Sequence, residues 1–480
     1  MIAATPRRHP LVIPLAAAYA ATIFTWCFLR HRHFGSSAFE LGAYHSVLWN
    51  VAYRGTPWNS LERAHQWSTH LELGLLPLVA LYRIAPSPAW LWLAEGVTCG
   101  AAALPVDALA RRASGDATVG LLAAAAMLIT PQLVLGQVAD FQPIALAILP
   151  LAIIAWSIEV DSSRGLALGS AFAMLLREQL GVVVAVAAAL WVLRQGRRRA
   201  PPAAALAVVA IAITALELRV ILPAFGSESA AHYAVQYGGG IDALAHHAVS
   251  QPLALLASAF EEHRRIYVAG LVSGALPLVL YSLRSLRRSA WPLLLGASPL
   301  AVQLLSAEPR KWDLRYPYGV PVVAAIAAAA ALALRWLPEK AITGKLTVRR
   351  AAAAGWLVLG LGHLAFVIPS PVGRGRAIDP EFAGSARAGA LDRAIAMVPA
   401  DASISAQDDV VPHVAARSEI HRWPDGSATD EYVLLDLDGA AANLKDHTTL
   451  AAEARRLRSD PSFEVLLDDA GVVLAKRAQR

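Results

Sequence analysis

Residues 165–194 read GLALGSAFAMLLREQLGVVVAVAAALWVLR, an apolar stretch interrupted by Arg177, Glu178 and Gln179. Read as one helix, it puts a charged pair in mid-membrane. That costs at least about 3 kcal/mol unless the pair is buried or partnered. Read as two short helices meeting at Arg177-Glu178, it puts the pair at a membrane face. Taken together with residues 71–84, the choice fixes which face Arg111, Arg112 and Asp140 occupy.

Similar runs recur on both sides. Candidate spans are 11–29, 88–110, 117–136, 143–158, 165–177, 179–194, 203–223, 266–284, 290–306, 317–336 and 351–369. Residues 71–84 (LELGLLPLVALYRI) are apolar but short, with Glu72 at one end and Pro77 in the middle. The positive-inside rule arbitrates. If 71–84 lies along the interface and 165–194 is two helices, then Arg111, Arg112, Arg194 and Arg197 share the inner side. So do Arg284, Arg287, Arg288, Arg349 and Arg350. The outer side then collects Glu40, His45, His65, His70, Asp140, Arg177, Glu178, His232, Arg310, Lys311, Asp313 and Arg315. The expectation is about eleven spans, N-terminus cytoplasmic and C-terminus extracytoplasmic.

Composition agrees. The chain has 480 residues, 56% hydrophobic and only 16% charged, which excludes an ordinary soluble protein. The net charge of +6 is explained by loop bias. The basic residues lie in short scattered groups rather than on one aromatic-studded face, so nucleic acid is not an expected partner. Cys27 and Cys99 both sit in apolar runs and form no CxxC motif. Arg7, Arg8 and His9 precede an apolar run with no small-x-small cleavage site, the pattern of a retained signal anchor.

After residue 369 the character changes. The expected division is a membrane domain, 1–369, with its first outer loop at 30–87; a Pro- and Gly-bearing linker, 370–383; and a small soluble α/β domain, 384–480. In that last part, 385–398 and 447–459 fit helices. DASISAQ and EYVLLDLDG fit strands, and FEVLLDDAGVVLAKR fits a hairpin.

Candidate chemistry gathers in the outer loops. Glu40 follows the first span in FGSSAFELGAYHSVLWN (34–50), whose later part is amphipathic and suits an interfacial helix. Such a carboxylate could activate a nucleophile; the plain reading is a solvated loop acid. His65 and His70 are five apart, which is not the spacing of two metal ligands on one helix face. Interfacial anchoring or contact with an anionic head group suits them better. Asp140 precedes Pro143 and suits the positive end of a helix. Arg177-Glu178 fits a structural ion pair, and its arginine also suits phosphate. The segment AEPRKWDLRYPYG puts Arg310, Lys311, Arg315 and Tyr316 in an outer loop that breaks the charge rule. A phosphate-bearing lipid would supply the reason. Head-group anchoring by Trp312 and Tyr316 is the structural alternative.

The order of FELGAYHSVLWN, THLELGLLPLVALYRIAPSP, ALARRASG, DFQPIALAILPLAI, LLREQLGVVVAV, VPHVAARSEIHRWPD and EYVLLDLDG resembles the bacterial membrane family catalogued as domain of unknown function 2079. That family is similar in turn to GT-C-fold glycosyltransferases. The resemblance implies an inner-membrane, cell-envelope enzyme that transfers a sugar from a polyprenyl-phosphate donor to an extracytoplasmic acceptor, with inversion. It puts Glu40 at the catalytic acid position, where the family usually carries Asp in an FDLG-like segment. Asp140 matches the acid before the fourth span, Arg177-Glu178 a polar break of KE or KD type, and His70 a polar residue before the interfacial helix. Those residues, with Arg310, Lys311, Arg315 and Tyr316, are the expected contacts to the donor and to membrane lipid. No cofactor is firmly implied; a divalent metal is left open. Two rival readings remain at this point: a transporter or flippase, for which discontinuous helices speak, and a non-catalytic scaffold. The donor sugar, the acceptor and the oligomeric state are not legible.

Overall fold

The computed structural model describes residues 7–226, 260–306, 308–367, 384–439 and 447–478, with a few isolated positions besides. His232 and the expected linker 370–383, Phe382 apart, lie outside the described residues. The chain divides into two compact units, one of residues 1–23, 67–75 and 93–369, the other of 24–66, 76–92 and 370–480.

Among the described residues, five helices are long and apolar enough to cross a membrane: Val12–Arg32, Ala89–Ser114, Pro143–Val160, Arg197–Ala224 and Pro317–Trp336. Two bent pairs raise this to seven. Ala117–Leu128 meets Pro131–Ala139 at 45°, where Pro131 lacks the amide hydrogen a continuous helix needs. Glu262–Val272 meets Leu276–Ser282 at 89°, so the expected span 266–284 is two pieces rather than one rod. Residues 165–194 are two helices, Ser163–Met174 and Leu180–Gln195, with Arg177 and Glu178 in the non-helical break. The helix Leu76–Ile84 has 9 residues, about 14 Å, and is too short to cross a hydrocarbon core of about 30 Å.

The first unit is built around Val320–Ala333, all of whose side chains are buried. Its sequence VPVVAAIAAAAALA explains this, because small residues let neighbouring helices approach closely. Helices Ile148–Val160, Ala103–Ser114, Leu276–Ser282 and Leu293–Leu304 pack on it. Gly96 and Gly100, one turn apart, do the same for Val12–Arg32. A Cβ on them would lie 2.9 and 2.6 Å from the carbonyl oxygens of Ala20 and Ala16.

Three parallel helices give this unit its polarity. Ile148–Val160, Leu180–Gln195 and the helix through Val320–Ala333 carry Glu159, Arg194 and Arg335 at their C-terminal ends. There Glu159 accepts from Arg194 at 2.9 Å and Arg335 at 2.6 Å. Their N-terminal ends meet at the cavity described below.

The second unit joins the first loop to the C-terminal residues. Its first strands, β1 (Trp58–Asn59) and β2 (Ala64–His65), form a small antiparallel ladder. Strands β3 (Ala341–Thr343) and β4 (Leu346–Thr347) form another in the helical unit. The sheet of the second unit comprises β5 (Ile404–Ala406), β6 (Ile420–Arg422), β7 (Tyr432–Asp436), β8 (Phe463–Asp469) and β9 (Val472–Arg477), in the order β6-β5-β7-β9-β8. β5 runs parallel to β6 and β7; β9 is antiparallel to β7 and β8. Helices Ala386–Met397 and His447–Ser459 stand where the sequence predicts them. Along β7 the side chains alternate between two cores. Leu434 packs with Ile404 and Leu391, whereas Val433 and Leu435 pack with Leu450, Ala454 and Leu457. The first of these cores also contains Phe34, Ala38, Ala43 and Leu61. The loop expected to belong with the membrane helices therefore shares its core with the sheet.

Candidate functional site

In the helical unit, the break between Ser163–Met174 and Leu180–Gln195 exposes backbone groups that need partners. One comes from the 3-10 turn Leu73–Leu75, where Gly74 N donates to Leu175 O at 2.7 Å. A Cβ on Gly74 would lie 3.2 Å from Leu175 O and 2.9 Å from Leu176 Cδ2, so glycine suits this close approach of the two backbones. That contact lays residues 70–72 along the break.

The charged side chains then pair crosswise rather than with each other. Arg177 Nε lies 2.9 Å from Glu72 Oε1, with both side chains at most 4% exposed. His70 Nδ1 lies 3.0 Å from Glu178 Oε1. Burial, and next the Arg177 charge, push the His70 pKa down to about 4. The imidazole is therefore neutral at pH 7, and its Nδ1 hydrogen is donated to the carboxylate. The expected Arg177–Glu178 ion pair is replaced by two pairs with a segment about a hundred residues earlier.

Arg177 lines a small recess, with enclosed room of only about 10 Å³, roughly one water, together with Ile144, Gln179, Gln303, Lys311 and Tyr318. Ile144, Gln179 and Tyr318 belong to the N-terminal turns of the three parallel helices. Helix N-termini carry partial positive charge and favour anions. Lys311 lies 3.7 Å from the centroid of the Tyr318 ring. Burial, reinforced by the Arg177 charge, lowers its pKa to about 7.

The loop bearing Lys311 is held from below. Tyr267 OH donates to Gln303 Oε1 at 2.7 Å, and Gln303 Nε2 donates to Tyr318 O. Gln132 Nε2 donates to Tyr316 O at 2.5 Å. Arg264 Nη2 and Trp312 Nε1 both donate to Ser306 O, each at 3.2 Å. Sequence reasoning missed Glu72, Gln132, Tyr267, Gln303 and Tyr318 as members of the site. Polar residues in apolar helices were the available signal for three of them, since such groups need a partner.

The other expected loop residues behave differently. Arg310 pairs with Glu308 at 2.9 Å and Arg315 with Asp313 at 2.6 Å, both arginines being exposed. Only Lys311 of the three cations enters the cavity lining. Tyr316 contributes its backbone carbonyl to Gln132. Asp140 is buried at the C-cap of Pro131–Ala139. The turn that begins at Pro143 takes Gln142 as its N-cap, two residues after Asp140.

In the other unit, Glu40 lies half-buried in a five-residue π-helix, Ala38–Gly42, which runs straight into the helix Ala43–Arg54. Gly42 N donates to Ser37 O at 3.1 Å, closing the wide turn. π-turns are rare and often mark functional positions. Eight of the twelve residues of Ala43–Arg54 are buried, more than an amphipathic surface helix would bury. His45 Nδ1 is hydrogen-bonded to Tyr82 Oη at 3.0 Å, which ties it to Leu76–Ile84. His65 closes the short β1–β2 ladder opposite Trp58. Among the described residues no three His, Cys, Asp or Glu side chains gather to hold a metal ion.

No curated protein matches this chain significantly. Among solved structures it is similar to ArnT from Cupriavidus metallidurans bound to undecaprenyl phosphate: 13% identity, TM-score 0.56, over 96% of this chain and 97% of that one. The apo state of ArnT matches at 12% identity and TM-score 0.55 over the same shares. The arabinofuranosyltransferase AftD from Mycobacteria matches at 13% identity and TM-score 0.51, over 99% of this chain and 40% of that one. Both are GT-C glycosyltransferases, and the likeness shows that this chain has a glycosyltransferase-like fold. The family described as predicted membrane protein (DUF2079) matches residues 30–474, and the chain belongs to it.

Proposed function

We propose that this chain is a membrane-embedded glycosyltransferase that moves a sugar from a polyprenyl-phosphate donor to an extracytoplasmic acceptor, with inversion. The cavity of the helical unit is the observation that supports this most. Arg177 and Lys311 line it, and three helix starts contribute to its wall. Fixed cations and helix N-termini together suit a phosphate. The fold likeness to ArnT, solved with undecaprenyl phosphate, points the same way.

In this reading Glu40 is the base. It takes the proton of the acceptor hydroxyl as that oxygen attacks the anomeric carbon. The bond from that carbon to the phosphate oxygen breaks, and polyprenyl phosphate departs with the electron pair. Arg177 and Lys311 stabilise the charge that develops on the phosphate. Glu72, His70 and Glu178 hold the Arg177 segment in place, and Asp140 orients the acceptor. Arg310, Arg315 and Tyr316 meet the head-group region of the lipid. The N-terminus is cytoplasmic and the sheet domain extracytoplasmic in the inner membrane.

The test is transfer from labelled polyprenyl-phosphate sugars by the full chain in lipid nanodiscs. Glu40→Gln should lower turnover by about 100-fold or more while the donor still binds; Arg177→Gln should weaken donor binding. Wild-type transfer by Glu40→Gln would remove Glu40 as the base. The helix breaks at 175–179 and between Val272 and Leu276 favour one other reading, transport. Movement of the intact lipid-linked sugar into sealed vesicles, with no covalent product, would support that instead.

A further inference from the structure

Two segments distant in sequence, FELG at 39–42 and the VPH and HRWP runs at 411–413 and 421–424, meet within the second unit. Gly42 lies against Val411 and Pro412 so closely that a Cβ on it would be 2.9 Å from Val411 Cγ1. The Phe39 ring sits under the Arg422 guanidinium, 4.3 Å from its carbon. Arg422 is itself steadied by Asp408 Oδ1 at 3.3 Å. The His413 ring is sandwiched between Phe34 and His31, with centroids 3.9 Å away on each side. Ile420 N donates to Ser60 Oγ at 3.2 Å.

The backbone in this region is costly by itself. The Val12–Arg32 helix ends in a Schellman turn, with Phe34 N bonded to His31 O at 2.8 Å and Gly35 N to Arg30 O at 2.9 Å. The left-handed residue of that turn is Phe34, at φ 55°, rather than glycine. A bulky residue there costs about 1 kcal/mol. The π-turn that follows is likewise disfavoured without support. Phe34, Ala38 and Ala43 are in one buried core with Val411 and Val414. Residues on both sides of Glu40 are therefore gripped by the sheet domain.

We infer that the C-terminal domain is the positioning element of Glu40, and that Arg422 is a positioning residue acting through Phe39. This rests on the reading of Glu40 as the base. The domain sets the π-turn that carries it, so loosening the domain's grip changes the carboxylate's placement.

The experiment is hydrogen exchange on the full chain in nanodiscs, combined with steady-state kinetics. Arg422→Ala should speed exchange of the 38–43 amides by about fivefold or more, the loss of a partly buried cation–π contact. The amides of β7 should keep their protection, and Arg422→Lys should restore part of the effect. Turnover should fall with the donor KM unchanged. If β7 also loses protection, the variant has unfolded the domain, and Phe39→Leu, made on the loop side, decides. Unchanged exchange at 38–43 in a folded Arg422→Ala or Phe39→Leu variant overturns the inference. The exchange readout needs no activity. If no sugar transfer exists, the π-turn result still stands or falls alone; if Glu40→Gln stops transfer and Arg422→Ala does not slow it, only the positioning claim is lost.

Discussion

Arg177 and Glu178 are adjacent in sequence, yet each takes its partner from the segment 70–72: Glu72 for the arginine at 2.9 Å, His70 for the glutamate at 3.0 Å. A charged pair in a helix break is thereby neutralised without using itself, and Arg177 also lines the cavity. Removing one partner of a buried pair costs about 3–5 kcal/mol, because the other charge is stranded. Glu72→Gln should therefore destabilise the chain by about that much, and Glu72→Gln with Arg177→Gln by less than the sum of the singles. Thermal unfolding of the four proteins in detergent measures the coupling; additive effects would show that the two side chains do not depend on each other.

Lys311 gives the cavity a pH response. Its pKa, ordinarily near 10.5, is pushed down to about 7 by burial and by Arg177. Below about 7 it is protonated and attracts phosphate; above, it is neutral and attracts it less. Binding of a polyprenyl phosphate should therefore weaken as pH rises through about 7, by up to about tenfold per unit. The ligand's own second proton, with a pKa near 6, acts in the opposite sense at lower pH. Lys311→Met should remove the loss above pH 7 and lower affinity overall. A titration of affinity against pH for both proteins checks it; identical profiles would exclude Lys311 as the titrating group.

A second pH effect belongs to the sheet domain. Burial, then His31 and Arg32, hold the His413 imidazole well below its ordinary value, and burial takes His45 to about 3. The charges facing His413 are His31, Arg32 and His45. A histidine with a depressed folded pKa binds its proton only when unfolded. Its contribution is thus full above about pH 6.5 and is lost as pH falls below that, by up to about 1.4 kcal/mol per unit for each histidine. His413→Phe keeps the ring stack and removes its contribution. Unfolding midpoints between about pH 5 and 7.5 should then fall less steeply than in the wild type. Parallel slopes would exclude His413 from the effect.

What could be read from sequence depended on range. The break at Arg177-Glu178 was legible because a charged pair in an apolar run has few places to go. The helix Ala386–Met397 and the β8–β9 hairpin were legible from local periodicity and from the Ala470-Gly471 turn, where both residues have positive φ. Pairings across long separations were not. Glu72 with Arg177, Gln132 with Tyr316 and Phe39 with Arg422 leave no periodic trace, since nothing local requires one partner over another. The same limit hid the placement of the first loop. Its apolar residues at 34, 38, 43 and 61 were visible, but that they complete a core formed largely by residues 382–474 was not. Arg310 and Arg315 show the converse. Their charge pattern was conspicuous, yet each is taken up by an acid two residues away.

Gly42 offers a test in which the sign of an effect changes. Its backbone is ordinary right-handed helix, φ −59° and ψ −44°, so alanine there should gain about 0.5–1 kcal/mol from backbone entropy alone. The added Cβ, however, would fall 2.9 Å from Val411 Cγ1. Valine is stiff at χ1 and cannot swing that methyl aside. Overpacking of this kind costs about 1–3 kcal/mol, so Gly42→Ala should destabilise the second unit by about 1 kcal/mol on balance. Val411→Ala removes the obstructing methyl and costs stability through the cavity it leaves. In that background Gly42→Ala fills part of the cavity and should become stabilising. Unfolding of the wild type, both single variants and the double variant completes the cycle. The effect of Gly42→Ala should reverse sign between the two backgrounds; the same effect in both would exclude the contact between the Glu40 turn and Val411 as its cause.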